Sequence, residues 1–263
     1  MIKRLKHNFH THTIRCNHAV DEDEKYIEVA IENGLKTLGF SDHIPLVRED
    51  GRESSYRVPY ARCQEYYDSL NGLREKYRNK IDIFIGFEME YYPEYFDVML
   101  ETAKKFKGEY LILGQHFYVA EHKGGKYVLS QEGLGKEDIT AYVNSVISAM
   151  KTGVFTYVAH PDIVNFVGSD EDYISEMSKI CLASKELNIP LELNLLGIRK
   201  NRVYPNKLFW KIAGEIGSPV IIGCDAHSAK DVYEITCIEK AFEIVKEFNL
   251  NLLEKPNLIR IDK

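Results

Sequence analysis

A chain of 263 residues, 44% hydrophobic and 28% charged, can build one sizeable core, and no apolar run approaches the roughly 20 residues that span a bilayer. With 40 acidic against 34 basic residues the formal net charge is −6, which argues against a groove for long nucleic acid and requires a local cation if the substrate is anionic. The N-terminal MIKRLKHNFHTHT is basic but leads into no apolar segment, so no secretory signal is expected; the odd, scattered Cys16, Cys63, Cys181, Cys224 and Cys237 suit core thiols in a reducing cytoplasm.

In chain order, KHNFHTH (6–12) predicts a first strand, followed by a helix over 23–34 and a strand LKTLGF (35–40). A long loop, 44–59, leads to a helix over 60–78, a strand IDIFIGF (81–87), a helix over 94–107 and a strand YLILG (110–114). A second long loop, 117–135, has a Lys-Gly-Gly-Lys centre that suits a hairpin tip, and a helix over 136–151 follows. The strands VFTYVA (154–159), IPLELN (189–194) and PVIIGC (219–224) then alternate with helices over 171–187, 206–217 and 229–247. In the last helix Ile235, Ile238, Ala241, Phe242, Ile244 and Val245 recur at three- and four-residue intervals. Seven short apolar strands separated by amphipathic helices predict an α/β fold with a parallel sheet covered by helices, in one domain over 1–263. Phe209 and Trp210 read as core residues of the sixth long helix.

Each predicted strand delivers a polar group at its C-terminal end: His10 and His12, Asp42 and His43, Glu88, His116, His160 and Asp162, Glu192 and Asn194, Asp225 and His227. An open sheet would scatter these along an edge, whereas a closed barrel points them at one axial pocket, so closure is expected. Residues two apart on a strand face the same way, which makes His10 with His12 a chelating pair. Burying His10, His12, Glu88, His116, His160 and Asp225 together would be costly without cations, and His18, His43 and His227 offer a third imidazole group. Nitrogen-rich donors mixed with carboxylates suit zinc, manganese or iron better than magnesium or calcium. Asp162, Asn194 and Glu192 are candidates for hydrogen-bond acceptors behind the histidines or for purely structural roles. His7 and His122 are expected at the surface.

The ordered set HTHT (10–13), SDH (41–43), GFE (86–88), GQH (114–116), AHPD (159–162) and GCDAH (223–227) resembles the polymerase and histidinol phosphatase (PHP) family of metal-dependent phosphoesterases, across nearly the whole chain. The resemblance implies a distorted, TIM-like (β/α)7 barrel with two or three divalent transition metals in its mouth. On that likeness His10, His12, Glu88 and Asp225 hold the first metal, Glu88, His116 and His160 the second, and His18, His43 and His227 the third. Hydroxide shared by the first two metals would attack a phosphomonoester, with Glu88, Asp225, His43 and Arg199 as the catalytic set. The segment LELNLLGIRKNRVYP is most similar to the histidinol-phosphatases of histidine biosynthesis, with Arg199, Lys200 and Arg202 placed to bind phosphate. Two departures stand out. HPDIVNFVG has Asn165 and Phe166 where those enzymes often carry an arginine, and His18 stands where some use aspartate. The alternatives are a family phosphatase acting on small nucleotides or sugar phosphates and, more remotely, a non-catalytic metal-binding module. No membrane or long nucleic-acid partner is expected, and the oligomeric state is open.

Overall fold

The computed structural model describes residues 4–262, apart from the side chain of His122. Its strands in chain order are β1 (His7–Asn8), β2 (Thr37–His43), β3 (Asp82–Met89), β4 (Leu111–Leu113), β5 (Phe117–Val119), β6 (Lys126–Tyr127), β7 (Phe155–Val158), β8 (Leu191–Asn194), β9 (Pro219–Gly223) and β10 (Asn251–Leu252). Eight of them form one parallel sheet in the order β1-β2-β3-β4-β7-β8-β9-β10, and the antiparallel pair β5 and β6 makes the hairpin expected around Gly124 and Gly125. All seven strands read from the sequence are present; β10, a two-residue strand beside β9, is additional.

The helices are α1 (Asp23–Glu32), α2 (Cys63–Tyr77), α3 (Phe96–Lys105), α4 (Lys136–Lys151), α5 (Asp170–Leu187), α6 (Leu195–Arg199), α7 (Lys207–Ile216) and α8 (Ile235–Glu247). The short α6 was not legible as a helix, and the segment expected over 229–247 divides into a 3-10 turn, Ala229–Tyr233, and α8. In α8 the buried side chains are Cys237, Ile238, Ala241 and Val245, the stripe that a helix lays on a sheet. Helices cover the outside of the sheet, so β2 and β9 are buried along their whole length, and β9 reads as a continuous apolar run.

Inside the curl, Phe9, Tyr110, Ile112, Tyr157, Ala159 and Ile221 form a separate apolar cluster. These residues come from the region of β1, from the neighbouring β4 and β7 and from β9, and so meet from different sides of the curl, as in the filling of a barrel. The expectation of a fully closed barrel needs correction: the end strands β1 and β10 share no ladder among the described residues. What joins the two sides at the mouth is a single bridge between Thr11 and Ala226, with His12 N donating to Ala226 O (2.9 Å) and Ala226 N to His10 O (3.3 Å). The side chain of Asn8 explains why the ladder stops. Its Oδ1 accepts from His10 N (3.2 Å) and Cys224 N (3.0 Å), replacing backbone partners across the seam.

Candidate metal centre

The parallel register of β2 and β3 sets His43 beside Glu88 at their C-terminal ends, and the seam brings His10 and His12 against Asp225. Nε2 of His10 lies 3.4 Å from Glu88 Oε2 and 3.5 Å from Asp225 Oδ1; Nε2 of His12 lies 3.4 Å from each of the same two oxygens. Ligands bound at 2.0–2.1 Å in a tetrahedron stand about 3.4 Å from one another. The four atoms therefore have the spacing of ligands around one shared cation. Glu88 Oε1 turns the other way, to His160 Nε2 at 3.0 Å and His116 Nε2 at 3.6 Å, so one carboxylate serves two neighbouring groups. His18 and His227 have ring centroids 4.7 Å apart, His43 is 5.4 Å from His18, and His12 borders all three. All nine residues proposed as ligands from the sequence thus lie at one end of the sheet.

Behind them stands a layer of hydrogen-bond acceptors. Glu192 accepts from His10 Nδ1 (2.8 Å), from the backbone N of His160 (3.0 Å) and from Asn194 Nδ2 (2.8 Å), which turns Nε2 of His10 toward the centre. Asn194 also donates to Asp225 Oδ2 (3.1 Å), while its Oδ1 caps α6 through Leu196 N and Gly197 N. Asp42 accepts from the backbone and hydroxyl of Thr13 and faces His12 Nδ1 at 3.6 Å. Glu90 accepts from His116 Nδ1 (2.9 Å). Asp162, by contrast, takes Asn206 N (2.6 Å) and Trp210 Nε1 (2.9 Å) and anchors α7; burial pushes its carboxyl up to about 7. Its role is structural. His7 is not a surface residue either, since its ring is nearly buried and Nδ1 meets Thr37 Oγ1 at 2.9 Å.

Local backbone and glycines are adapted to the site. His160 and Asp225 occupy left-handed conformations, φ 33° and 47°, at a cost of about 1–3 kcal/mol each for residues with a Cβ. A Cβ on Gly114 would overlap the Glu88 carboxylate, and one on Gly223 would overlap that of Glu192. Each glutamate reaches the axis across a neighbouring strand that carries no side chain there.

The electrostatics fit a cation. Burial opposes charge on His10 and His12, yet the surrounding carboxylates raise both imidazoles, His10 through Glu192, Asp225 and Glu88, His12 through Asp225 and Asp42. Burial would likewise raise Glu88 and Asp225, but the histidines hold both well below the usual carboxylate range. His43 is lowered chiefly by burial, with His12, His116 and His18 opposing the pull of Glu88, and His227 falls to about 3 by burial and then by His12. Both nitrogens of His12, Nδ1 of His43 and Oδ1 of Asp225 are buried without a hydrogen-bond partner. Unsatisfied buried polar atoms of this kind are costly, and coordination is what would satisfy them. The described residues provide several groups of three donors within 4.8 Å, including His10 with His12 and Glu88, His10 with His160 and Asp225, and His12 with His18 and His227. That is capacity for two or three divalent cations.

The centre forms the floor of a cavity of about 1240 Å³. Tyr56, from the loop 44–59, and Phe117 and Tyr127, from the hairpin, make an aromatic wall in which Tyr56 meets His43 edge-on at 5.3 Å and stacks on Phe117 at 6.2 Å. Arg199, Lys200 and Arg202 all line the cavity, but they differ in freedom. Arg199 donates Nε to Glu234 (2.9 Å) and Nη2 to the carbonyls of Asp231 (3.0 Å) and Cys224 (3.2 Å), so most of its fork is spent on protein. Arg202 is exposed and donates to Tyr204 Oη at 3.1 Å. Glu90 and the aromatic wall were missed from the sequence. Glu90 had a signal, since it lies two residues beyond Glu88 and so shares its face.

The family model described as PHP domain matches residues 8–195. Among curated relatives, histidinol-phosphatase of Bacillus subtilis is 27% identical over 260 residues, covering 86% of this chain and 95% of that protein. Histidinol-phosphatase of Lactococcus lactis is 24% identical over 279 residues, covering 100% and 97%. The crystal structure of histidinol phosphate phosphatase from Lactococcus lactis, complexed with zinc, L-histidinol and phosphate, superposes with TM-score 0.72 at 17% identity, covering 97% of this chain and 100% of that one. At that identity the likeness speaks for the fold.

Proposed function

The chain belongs to the PHP-domain family, and from that premise we propose that it is a metal-dependent phosphomonoesterase whose substrate is L-histidinol phosphate. What carries the proposal is the first donor set, in which the buried Nε2 atoms of His10 and His12 each stand 3.4–3.5 Å from the same two oxygens of Glu88 and Asp225 beneath an open cavity. His10, His12, Glu88 and Asp225 would hold one cation, Glu88 with His116 and His160 a second, and His18, His43 and His227 a third. Bound divalent transition metals of this kind supply a nucleophile from water at neutral pH and charge for the phosphoryl oxygens.

The chain's own residues hold and aim. Glu88 fixes the distance between the first two groups, and Glu192 fixes the tautomer of His10. Arg202 is the phosphate clamp in preference to Arg199, because a planar fork suits phosphate only when its donors are free. Arg199 instead ties α6 to Cys224, the residue before Asp225, and so steadies the seam. His43 is neutral in its surroundings, which makes it a ligand rather than a proton donor, and the leaving alkoxide takes its proton from water in the cavity. The aromatic wall of Tyr56, Phe117 and Tyr127 suits a flat imidazole at the far end of the substrate. The substrate assignment draws on the named histidinol-phosphatases and on the complex with L-histidinol and phosphate.

The test is phosphate release by metal-loaded protein across biosynthetic phosphomonoesters and 3′,5′-bisphosphorylated nucleosides. L-Histidinol phosphate should give the highest kcat/KM. A tenfold or greater preference for a bisphosphate or a sugar phosphate would overturn the substrate and leave the metallophosphoesterase standing.

A further inference from the structure

One buried cation joins two walls of the cavity, the loop 44–59 and the hairpin, to the metal centre. Arg57, from the loop 44–59, is only 1% exposed. Its Nη2 lies 2.6 Å from Glu90 Oε2 and 2.6 Å from Glu121 Oε2, and its Nη1 donates to Ile44 O at 3.0 Å. Glu121 belongs to the hairpin and also accepts from Ser54 and from Tyr92 Oη. Glu90, just beyond β3, uses its other oxygen to accept from His116 Nδ1. A continuous chain therefore runs from the hairpin through Glu121, Arg57 and Glu90 to His116, whose Nε2 faces Glu88.

Each link has a physical consequence. An acceptor at Nδ1 selects the tautomer of His116 whose Nε2 lone pair is free for a metal. Glu90 can hold that position as a buried anion only while a cation neutralises it, and Arg57 also carries the backbone that presents Tyr56. We propose that Arg57 is a positioning residue that sets the affinity of the second metal site and couples its occupancy to ordering of the loop 44–59 and the hairpin. The inference rests on His116 being a ligand of that site. Coupling of this kind is reciprocal: filling the site should order the walls, and loosening the walls should weaken the site.

The experiment is a Co²⁺ titration, read by visible absorption with chelator competition, run beside limited trypsin cleavage at the exposed Arg52 with and without the metal. In the wild type, Co²⁺ should protect the loop. Arg57→Lys keeps the charge but loses the two-pronged fork, so it should leave the tightest equivalent unchanged, weaken one later equivalent by about 10–100-fold and abolish the protection. Arg57→Met should do the same more severely; if it fails to fold, Arg57→Lys decides. Glu121→Gln, which spares the pair with Glu90, should lose protection with a smaller loss of affinity. Wild-type affinities in Arg57→Lys, or equal weakening of all equivalents, would overturn the inference. His116→Ala is the reference and should lose the same equivalent. If it keeps every equivalent, the ligand assignment fails and the role of Arg57 fails with it; if it loses one and Arg57→Lys does not, only the coupling is refuted.

Discussion

Gly114→Ala adds one methyl group where the structure leaves no room. The backbone of Gly114 is not left-handed, so alanine meets no conformational objection, and the new Cβ would overlap Oε1 of Glu88 with Cδ and Cγ next in line. Glu88 has nowhere to go. Its Oε2 is 3.3–3.4 Å from nitrogens of His10, His12 and His43, and its Oε1 is 3.0 Å from His160. Overpacking a filled site costs about 1–3 kcal/mol, of which the stiffer unfolded chain returns about 0.4–1. Metal-free protein should therefore lose about 1–2 kcal/mol, a fall in Tm of roughly 2–8 °C for a chain of this size. Function should suffer more, because displacing a shared ligand by about 1 Å disturbs both neighbouring sites and costs on the order of 10²-fold in turnover. Melting in chelator measures the first effect; metal content after dialysis and phosphate release at saturating Zn²⁺ or Mn²⁺ measure the second. Unchanged metal content with turnover within about threefold of wild type would refute the idea that Gly114 exists to admit Glu88.

Glu88→Ala should give a folded protein whose turnover of a generic phosphomonoester falls to background at saturating metal, and near wild-type turnover would rule out a shared ligand. Arg202→Ala should lower kcat/KM by about 10–100-fold, the worth of a charge-assisted hydrogen bond, with little change in Tm. Arg199→Ala should do the reverse, lowering stability by about 1–3 kcal/mol through the orphaned carbonyls of Cys224 and Asp231, as chemical denaturation would report. Metal affinity should rise with pH through the neutral range. His10 and His12 are raised in the metal-free protein and must give up protons to bind a cation, so calorimetry in buffers of different ionisation enthalpy should show proton release, and pH-independent affinity would contradict it.

The strands that place the centre were legible because each is a short apolar run ending in a polar residue, and strand parity alone paired His10 with His12. The seam was not. Closure depended on whether backbone or side chains would satisfy the ends of β1 and β9, and Asn8, a residue with no motif around it, decided for side chains. A planar fork that matches phosphate recommends Arg199 from the sequence, which does not reveal that Asp231 and Glu234 fold back onto it. Glu90 and Glu121 escaped for a related reason: their importance lies in Arg57, and the pairing of three residues from three separate segments is a tertiary fact.

The incomplete ladder gives the cations a second role in the fold. His10 and His12 lie on one side of the seam, Asp225 on the other, and Glu88 faces both from β3. Backbone contributes one bridge there, Thr11 with Ala226, flanked by two hydrogen bonds. A cation held by the four side chains would span the same gap with bonds that water competes for poorly, tying together strands that the sheet leaves apart. Glu192 and Asn194 extend the tie: Glu192 holds His10, and Asn194 reaches both Glu192 and Asp225 while capping α6. The left-handed backbone at Asp225 and His160 follows from the same demand, since both residues must turn from strand direction to the barrel axis within one step. The unsatisfied nitrogens of His12 and the left-handed backbone of His160 and Asp225 thus lie together at the C-terminal ends of the strands, where a bound metal would offset both.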